Sequence, residues 1–485
     1  MQGVWTAQQI RDAEAVLLAR CEEGALMRRA AHGLALEVRR FLGSRVTGRR
    51  VTLLVGSGDN GGDALWAGAE LRRAGAGVTA VLLTPDRAHA TGLAALRRAR
   101  GLVLTPDDPR VRDAVTGADV LVDGIVGISG RGALREQAAT LVEAAGAAGV
   151  PVVAVDLPSG VDADTGATDG AAVDADLTVT FGALKPVHVL AAPQCGETVL
   201  VDIGLRPADP HAWVLDAADA GERWPIPGPT DDKYTQGVVG IAAGSATYPG
   251  AAVLSTGAAV LATSGMVRFA GSALETVRAY WPEVVAAESV EAAGRTQAWS
   301  VGPGIGTDDA GRDVLRAVLD RDVPTCVDAD AITLLSQHED LRRRISGRPI
   351  VLTPHAGEFA RIAGDVGVDR IGAARRAAAA LGVTVLLKGN ATVVADPDGR
   401  TLVHPSENSW AATAGSGDVL SGLIGALLAA GLEPWWAAGC AVFVHSRAAT
   451  LAAGRTGDGP AVPAPASTLQ AHVPAAISEV RAAAV

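Results

Sequence analysis

Short apolar runs alternate with amphipathic stretches along the first 205 residues. Five runs rich in valine and leucine are predicted β-strands: Val51–Val55, Val78–Leu83, Leu102–Leu104, Val120–Val122 and Val152–Val155. Helical spacing precedes and separates them at Thr6–Ala19 (with Thr6 a candidate N-cap), Ala25–Phe41, Ala64–Ala74, His89–Arg100 and Arg135–Ala148. Alternation of this kind predicts βαβ units and a parallel sheet with helices on both faces.

A second α/β series follows a proline-rich stretch at 206–230. Repeated proline interrupts helices and strands, so we expect a linker there. The later strands are predicted at Val238–Ala242, Ala298–Val301, Thr325–Val327, Ile350–Leu352, Val383–Leu387 and Thr392–Ala395, with helices after Pro249, Thr307, Gly372 and Ser416. The segment Gly457–Ala466 is predicted to be a flexible surface loop before a last helix. The pattern predicts two different α/β domains, residues 1–215 and 216–485.

Composition narrows the class of protein. A length of 485 residues suggests two or three domains, and a net charge of −11 argues against nucleic acid or an anionic membrane as the main partner. The four cysteines are far apart and the nine histidines lack metal-type spacing, so neither disulfides nor a zinc site is predicted. The N-terminus lacks the pattern of a secretory signal, and the apolar windows are too short or too interrupted to span a membrane. We expect a soluble cytoplasmic protein.

Three loops rich in glycine and acidic residues follow three of the predicted strands. In the first, Gly56, Gly58 and Gly61 form G-x-G-x-x-G in the strand-loop-helix context of a dinucleotide site. Asp59 and Asp63 would repel a pyrophosphate there, which disfavours an ordinary Rossmann phosphate site. A tight turn with an Asp helix cap stays open as the alternative.

The other two loops follow the strands that end near Asp123 and Val155. Because open α/β sheets bind ligands at the carboxyl ends of their strands, we expect the three loops to meet. Asn60, Asp123 and Ser159 supply hard oxygen ligands suited to an alkali or alkaline-earth cation. That assignment leaves Asp156 free for acid/base work, unless it only braces its own loop.

The segments GSGDNGGDAL, VDGIVGISGRG and VVAVDLPSGVDADTG resemble the NAD(P)H-hydrate epimerases over most of residues 1–205. The resemblance implies a Rossmann-like three-layer domain and a potassium ion held by Asn60, Asp123 and Ser159. We interpret Asp156 as the catalytic residue, which transfers the proton. Lys185 lies in a similar segment but has no chemical step that the sequence assigns. The implied contacts to the hydrated nucleotide are Asp59, Asn60, Gly61, Gly62, Asp63, Gly127, Ile128, Ser129, Gly130, Arg131, Gly132, Ala133 and Asp156.

A glycine cluster opens an apolar helix in the second half. Gly415 and Gly417 let the backbone approach a ligand, and the first-turn N–H groups with the helix dipole form an anion site. Asp418 can accept a proton there from a hydroxyl positioned for phosphoryl transfer. A simple N-cap would explain Ser416 or Asp418 singly, but not the Gly-Ser-Gly-Asp cluster.

Four further loops, at 240–251, 301–307, 353–359 and 387–392, follow predicted strands. Lys388 in the last of them places a point charge where nucleotide phosphates could lie. For His355, a structural role and a binding role are both open. These loops resemble the ADP/ATP-dependent NAD(P)H-hydrate dehydratases from Lys233 to the end, which implies a ribokinase-like α/β fold.

The second resemblance also implies site residues and co-substrates. It places Ala251, Gly304, His355 and Asp418 against the hydrate. We interpret Asp418 as the catalytic base. ADP or ATP with Mg²⁺ is the implied co-substrate. The implied contacts to the adenine nucleotide are Lys388, Gly389, Asn390, Ala391, Thr392 and Gly417. The family more often has Gly-Asn-Pro-Gly-Met where this chain has Ser406 to Trp410.

The two resemblances in one chain predict a bifunctional metabolite-repair enzyme. It would epimerise R and S hydrated NAD(P)H (NAD(P)HX) and dehydrate the S form to NAD(P)H at the expense of ADP or ATP. The expected partners are NAD(P)HX, an adenine nucleotide and further copies of the chain, without nucleic acid or a membrane. Two alternatives stay open: a ribokinase-like kinase of small alcohols, and a nucleotide-sensing scaffold whose N-terminal site has decayed, because Asp59 and Ile128 depart from the family pattern.

Lysine and asparagine are unusually scarce. Only three of the 42 basic residues are lysines, and the chain has only three asparagines. All six lie in segments that carry one of the two resemblances: Lys185, Lys233, Lys388, Asn60, Asn390 and Asn408. Their placement singles out the loops around Asn60 and Lys388 as candidate active-site loops.

Overall fold

The computed structural model describes residues 1–43, 45–262, 265–405, 408–454 and 461–485. Its contacts divide the chain into two compact units, Gly3–Ala212 and, together with Met1–Gln2, Trp213–Val485. Within the described ranges, every helix is too short or too polar to cross a membrane. The division into functional domains at 215 and 216 stays a prediction.

The N-terminal unit alternates strands and helices as the hydrophobic pattern predicts. Up to residue 201 the strands are β1 (Gln2–Val4), β2 (Arg50–Val55), β3 (Gly77–Leu82), β4 (Leu102–Leu104), β5 (Val120–Gly124), β6 (Val152–Val155), β7 (Leu177–Phe181) and β8 (Glu197–Val201). The helices are α1 (Ala7–Leu18), α2 (Ala25–Phe41), α3 (Asp59–Arg73), α4 (Ala90–Arg98), α5 (Val111–Thr116), α6 (Glu136–Ala147), α7 (Pro186–Leu190) and α8 (Ala192–Cys195).

Seven parallel strands form its sheet, in the order β4-β3-β2-β5-β6-β7-β8. Successive side chains of β2 serve different cores: Leu53 packs with α2, α3 and α4, and Leu54 packs with α5 and α6. Both faces are therefore covered, which makes three layers. Since β2, β5 and β6 are neighbours, the three loops that follow them leave the sheet at one edge.

The first turn of α3 corrects one sequence prediction. The helix begins at Asp59 rather than at Ala64, with Gly58 as its N-cap. The sequence predicted a loop here because the stretch is rich in glycine and aspartate. Close packing explains the helix, since a Cβ on Gly61 would lie 2.4 Å from the carbonyl oxygen of Gly56. The predicted N-cap Thr6 is confirmed, and it forms a capping box with Gln9.

The C-terminal unit is a second α/β layer structure. Its strands are β9 (Ala212–Val214), β10 (Val238–Ala242), β11 (Met266–Ala270), β12 (Val285–Ala287), β13 (Ala298–Val301), β14 (Thr325–Val327), β15 (Ile350–Leu352), β16 (Thr384–Leu387), β17 (Thr392–Ala395) and β18 (Thr401–His404). Its helices are α9 (Ala217–Arg223), α10 (Pro249–Ala262), α11 (Leu274–Tyr280), α12 (Asp309–Leu319), α13 (Asp330–Gln337), α14 (Glu339–Arg343), α15 (Ala356–Ala363), α16 (Arg370–Leu381), α17 (Ser416–Ala429), α18 (Pro434–Ala452), α19 (Ala466–Ala471) and α20 (Val473–Ala483).

These strands follow the order β9-β18-β17-β16-β15-β14-β13-β10-β11-β12. The pairs β16–β17 and β17–β18 are antiparallel, and the other pairs are parallel. The apolar helices α10 and α17 pack against this sheet and against each other. The loops after β13, β14, β15 and β16 therefore lie at one edge, beside the first turn of α17.

The predicted linker at 206–230 is wrong over its middle part. It contains β9 and α9, and Asp216 caps α9 through the backbone N–H of Asp219. The prolines stand before residue 212 and after residue 224, which leaves room for both elements. The sequence also missed β1, β7, β8, β11, β12 and β18. Part of the predicted surface loop (residues 457–460) and the positions Ser406 and Glu407 lie outside the described residues.

Candidate active sites

Asn60, Asp123 and Ser159 come together as predicted, although they lie on three different segments. The Ser159 hydroxyl donates to Asp123 Oδ1 at 2.7 Å, and its backbone N–H donates to Asp123 Oδ2 at 2.8 Å. The Asn60 amide nitrogen donates to the carbonyls of Val155 at 2.5 Å and Val126 at 3.1 Å. The backbone N–H of Val126 donates in turn to the Ser159 hydroxyl at 3.0 Å. The backbone of Val126 thus links the Asn60 side chain to the Ser159–Asp123 pair at the strand ends.

Asp123 is a fully buried carboxylate at this point. Burial raises its pKa to about 6, against the lowering effect of hydrogen bonds from Ser159 and Ile125. Among the described residues no basic side chain forms an ion pair with it. A monovalent cation bound beside it would therefore supply a missing counter-charge.

Asp156 is not free, in contrast to the sequence prediction. Its carboxylate accepts hydrogen bonds from the ammonium group of Lys185 at 2.6 Å and from the Thr180 hydroxyl at 3.0 Å. Burial alone would raise the pKa of Asp156, but the charge and hydrogen bond of Lys185, together with His188 and Thr180, outweigh burial, so that the pKa is lowered. Asp156 is thus held as a carboxylate. Only the rarity of lysine in the sequence pointed towards this pairing.

Two further acids lie near Asp156. Asp63 is buried and its Oδ1 has no hydrogen-bond partner. Burial, followed by the charges of Asp156, Asp59 and Glu14, raises the pKa of Asp63 well above its usual range. Burial and Asp156 also raise the pKa of Glu14, on α1, which the sequence analysis missed. The site therefore combines Asp63, whose raised pKa favours the protonated form, with Asp156, whose lowered pKa favours the carboxylate.

The predicted nucleotide-binding loop 127–133 borders Asn60. A Cβ on Gly127 would lie 2.7 Å from Asn60 Oδ1, so the loop backbone passes directly beside that side chain. The Gly130 N–H closes a turn onto the Gly127 carbonyl at 2.8 Å. Ile128 packs partly against the apolar core. Four further loop positions are exposed, namely Ser129, Arg131, Gly132 and Ala133. Asp59, at the start of α3, is exposed as well.

The predicted neighbours of Asn60 on α3 differ in their surroundings. Gly61 packs against the loop before it, and a Cβ on Gly62 would lie 2.8 Å from the Met27 side chain and 3.0 Å from that of His89. Gly62 therefore faces protein, while Asn60 and Asp63 lie on the side of Asp156 and the strand ends.

In the C-terminal unit, Lys388 forms an ion pair with a residue that the sequence analysis did not select. Its ammonium group lies 2.8 Å from Asp328 Oδ1 and 4.0 Å from Glu358 Oε2. Both carboxylates are buried, with Asp328 only 2% exposed. Burial acting alone would lower the pKa of Lys388, but Asp328 and Glu358 raise it. Lys388 therefore stays cationic.

Gly417 and Asp418 lie on the first turn of α17, beside this pair. A Cβ on Gly417 would lie 3.5 Å from Lys388 Nζ and 3.7 Å from Asp328 Oδ2. Burial and the charges of Asp328 and Asp330, only partly offset by Lys388, raise the pKa of Asp418 to about 7. A carboxyl group with that pKa can accept a proton near neutral pH.

Arg370, on α16, braces the predicted nucleotide loop and was also missed. Its guanidinium donates to the carbonyls of Lys388 at 2.5 Å, Ala391 at 2.8 Å and Leu387 at 3.2 Å. These bonds fix the backbone of the loop that carries Lys388 and Asn390. The sequence around Arg370 does not indicate this role, because arginine is common throughout the chain.

His355 has the structural role that the sequence left open. Its Nδ1 accepts the backbone N–H groups of Gly357 at 3.0 Å and Glu358 at 3.3 Å, and it caps α15. The imidazole is nonetheless more than half exposed.

Two other predicted hydrate contacts, Ala251 and Gly304, are neighbours. A Cβ on Gly304, whose φ is +68°, would lie 3.1 Å from Ala251 Cβ.

A cavity of about 600 Å³ joins most of the predicted nucleotide residues. Ala251, Gly304, Ala391 and Asp418 do not line it. Trp410 does not line it either, since it packs against the hydrophobic core. The predicted residues in its wall are His355, Lys388, Gly389, Asn390, Thr392 and Gly417, and the others are His404, Asn408, Ser409, Ala411, Ala412, Ser416, Leu420, Val442, His445 and Ser446.

Similarity to known proteins agrees with this two-site layout. Residues 23–187 match the family model described as the YjeF-related protein N-terminus, and residues 239–469 match the one described as NAD(P)H-hydrate dehydratase. The bifunctional NAD(P)H-hydrate repair enzyme Nnr of Mycobacterium leprae is 56% identical over 99% of this chain and 100% of its own length. The chain belongs to the family of bifunctional NAD(P)H-hydrate repair enzymes. The Mycobacterium tuberculosis protein of the same name is 59% identical over 89% of this chain and 90% of its own.

The fold of this family member matches expectation as well. A ribokinase-like superfamily protein from Enterococcus faecalis superposes with a TM-score of 0.50 at 23% identity, over 57% of this chain and 98% of its own. The predicted fold class and the predicted bifunctional repair enzyme are confirmed. The small-alcohol kinase and the decayed scaffold are not favoured. The residue roles, the potassium ion, the homo-oligomer and the cytoplasmic location stay predictions.

Proposed function

We propose that each unit catalyses one step of the repair of hydrated NAD(P)H through the residues assembled above. The N-terminal unit interconverts the R and S epimers of NAD(P)HX, and the C-terminal unit dehydrates the S form. The observation that carries the proposal is the placement of Asp418, with its pKa near neutrality, beside Lys388 at the start of α17. A base, a cation and helix N–H groups are the parts that phosphoryl transfer needs.

In the epimerase site, Asp156 transfers the proton that interconversion of the two epimers requires. Asp59, Gly61 and the loop 127–133 contact the nucleotide around it. Asn60, Asp123 and Ser159 would hold a potassium ion. The fit rests on their oxygen donors and on the buried Asp123 carboxylate, which lacks a basic partner among the described residues. The ion would supply charge for binding the substrate.

In the dehydratase site, Asp418 takes the proton from the ring hydroxyl as its oxygen attacks the terminal phosphorus of ADP or ATP. AMP or ADP leaves, and Lys388 with the N–H groups of α17 stabilises the transferring charge. The new C–O–phosphate bond then breaks with loss of a proton from the neighbouring ring carbon, which yields NAD(P)H and phosphate. Ala251, Gly304 and His355 contact the hydrate in this arrangement.

The adenine nucleotide would lie in the 600 Å³ cavity, along the loop from Lys388 to Thr392 and Gly417. No group of three His, Cys, Asp or Glu side chains able to hold a metal occurs in the described parts of the chain. Mg²⁺ often binds through phosphates and one or two carboxylates. Asp328 and Glu358, the buried carboxylates beside Lys388, would hold it in that way.

Separate assays of R- and S-NADHX with each adenine nucleotide test this function. With S-NADHX and ADP or ATP, the purified chain should restore the absorbance of reduced nicotinamide. With R-NADHX, recovery should require potassium and the same nucleotide. Failure to recover S-NADHX with either nucleotide would rule out the dehydratase, and repair of S but not R would rule out the epimerase.

A further inference from the structure

Asp156 has an unusual backbone conformation. Its φ is +68°, and only four other non-glycine residues in the described ranges have positive φ. A side chain in this region costs conformational energy unless its surroundings hold it there. Such outliers are common at active sites. The contacts that hold Asp156 are therefore informative about its role.

The segment that leads into α7 forms hydrogen bonds with Asp156 at two points. Lys185 Nζ donates to the Asp156 carboxylate at 2.6 Å, to the Thr180 hydroxyl at 2.9 Å and to the Ala183 carbonyl at 3.3 Å. His188 Nε2 lies 2.7 Å from the carbonyl oxygen of Asp156. One segment thus fixes both the side chain and the main chain of the same residue.

The imidazole of His188 can hold this position in one tautomer only. Its Nδ1 accepts the backbone N–H of Lys185 at 2.9 Å, so Nε2 must carry the hydrogen that it donates to Asp156. Burial, followed by the Lys185 charge, lowers the pKa of His188 to about 4. His188 is therefore neutral near neutral pH, and in the described part of the chain Lys185 is the cation that forms an ion pair with Asp156.

A buried ion pair is a costly way to stabilise a fold. The Lys185 side chain is 1% exposed and that of Asp156 is 9% exposed, so both charges are removed from water. Apolar residues of similar size often serve stability as well or better. The groups around the pair are acidic: Asp59 and Asp63 on α3 and Glu14 on α1. Without the ammonium group, the charges of these neighbouring acids would favour a protonated Asp156.

We propose that Lys185, supported by His188, is the positioning residue of the epimerase reaction, which holds the Asp156 carboxylate in its strained conformation and ready to accept a proton. The inference rests on the proposed epimerase function. In this arrangement Asp156 accepts a proton from the substrate and gives it back as the other epimer forms, while Lys185 takes no part in the proton transfer. Thr180 joins the two charged groups through its hydroxyl.

Substitution of Lys185 tests this role. In Lys185→Met, we expect the kcat for epimerisation to fall by at least tenfold, and by no more than the 10²–10⁴ that loss of a placed acid/base group costs. The acid limb of its pH profile should move to higher pH, because the pKa of Asp156 rises when the cation is lost. Lys185→Arg should keep the acid limb near its original pH but lower kcat, since the planar fork cannot reproduce the three bonds.

Matched controls distinguish loss of the positioning role of Lys185 from a general loss of folding. Lys233→Met removes an exposed lysine outside both sites and should leave epimerisation unchanged. Dehydration of S-NADHX reports on the C-terminal unit of each variant, and the circular dichroism spectrum and melting curve report on the folding of the whole chain. If Lys185→Met does not fold, Thr180→Val should give a smaller loss and a smaller shift in the same directions.

The outcomes distinguish this inference from the proposed function. The role of Lys185 would be overturned if folded Lys185→Met kept the wild-type kcat and acid limb. If only Thr180→Val folds, the same result in that variant would overturn it. If the wild-type chain does not epimerise NADHX at all, the proposed function fails instead. The Asp156 pKa is then measured by carboxyl NMR, assigned with Asp156→Asn. The Asp156 pKa should rise in Lys185→Met or, if that variant does not fold, in Thr180→Val. A pKa that does not rise would show that Lys185 does not control the ionisation of Asp156.

Discussion

The ammonium group of Lys388 donates a 2.8 Å hydrogen bond to Asp328, whose side chain is almost completely buried. Lys388→Met would leave that carboxylate without its cation. Breaking one partner of a buried ion pair costs about 3–5 kcal/mol, so we expect a lower melting temperature of the C-terminal unit. The KM for ADP should also rise by at least tenfold, because the cation beside Gly417 is lost.

Lys388→Arg keeps the charge and separates these two effects. It should recover most of the melting temperature, while the KM for ADP stays raised because the guanidinium cannot replace a compact cation in this space. An unchanged KM for ADP in folded Lys388→Met would contradict the phosphate-binding role. Kinetics at several ADP concentrations and thermal melting are the measurements.

Asp418 should separate the two activities of the chain. In Asp418→Asn, the isosteric amide cannot take the proton of the ring hydroxyl, so dehydration of S-NADHX should fall by at least 10². Interconversion of R- and S-NADHX, followed by chromatography, should continue at the wild-type rate. Residual dehydration above a tenth of the wild-type rate would show that another group serves as the base.

The pH dependence of dehydration follows from the same carboxyl group. Burial and Asp328 raise the pKa of Asp418 to about 7, so the reactive carboxylate forms as the pH rises through that value. The kcat/KM for S-NADHX should therefore increase from pH 6 to pH 8. A rate independent of pH over this range would contradict the assignment of Asp418 as base.

Stability should change with pH in the opposite direction. The pKa of Asp418 is higher in the folded state than in the unfolded chain, so the folded state binds the proton more tightly and loses stability as the pH rises towards 7. Asp418→Asn removes this effect. We expect the variant to melt at a higher temperature than wild type at pH 8, and the two to melt closer together at pH 4.

The sequence predicted the parts of each site that lie on continuous strand-loop-helix segments. Asp123 and Asp156 were found because each directly follows an apolar run, and the neighbouring positions of β5 and β6 bring their loops together. Local pattern is enough for such residues, since the strand itself fixes where the loop begins.

Residues brought in from other segments could not be predicted in this way. Lys185 reaches Asp156 from 29 positions further along the chain, and Lys388 reaches Asp328 across 60 positions. Arg370 binds its loop through backbone carbonyls, which are the same in every residue. These contacts depend on how β7 leads into α7 and on how β14 and β16 lie in their sheet, and periodicity alone does not specify either.

The potassium site makes a prediction about Gly127. A Cβ at this position would lie 2.7 Å from Asn60 Oδ1, which is closer than atoms in contact allow. Gly127→Ala should therefore displace the Asn60 side chain from Asp123 and Ser159. We expect the potassium concentration for half-maximal epimerisation to rise by about tenfold, on the scale of 10–100 for disturbed metal sites, while dehydration of S-NADHX stays unchanged.

Gly58→Ala is the matched control for this substitution. Gly58 is the N-cap of α3, only two positions before Asn60, and a Cβ there meets no atom within 4 Å. Its φ of −99° suits alanine, so the potassium dependence should be that of wild type. Asn60→Ala gives the other limit, in which added potassium no longer accelerates epimerisation. If Gly127→Ala keeps the wild-type potassium dependence while Asn60→Ala loses it, Asn60 binds the ion from a position that the 127–133 loop does not constrain.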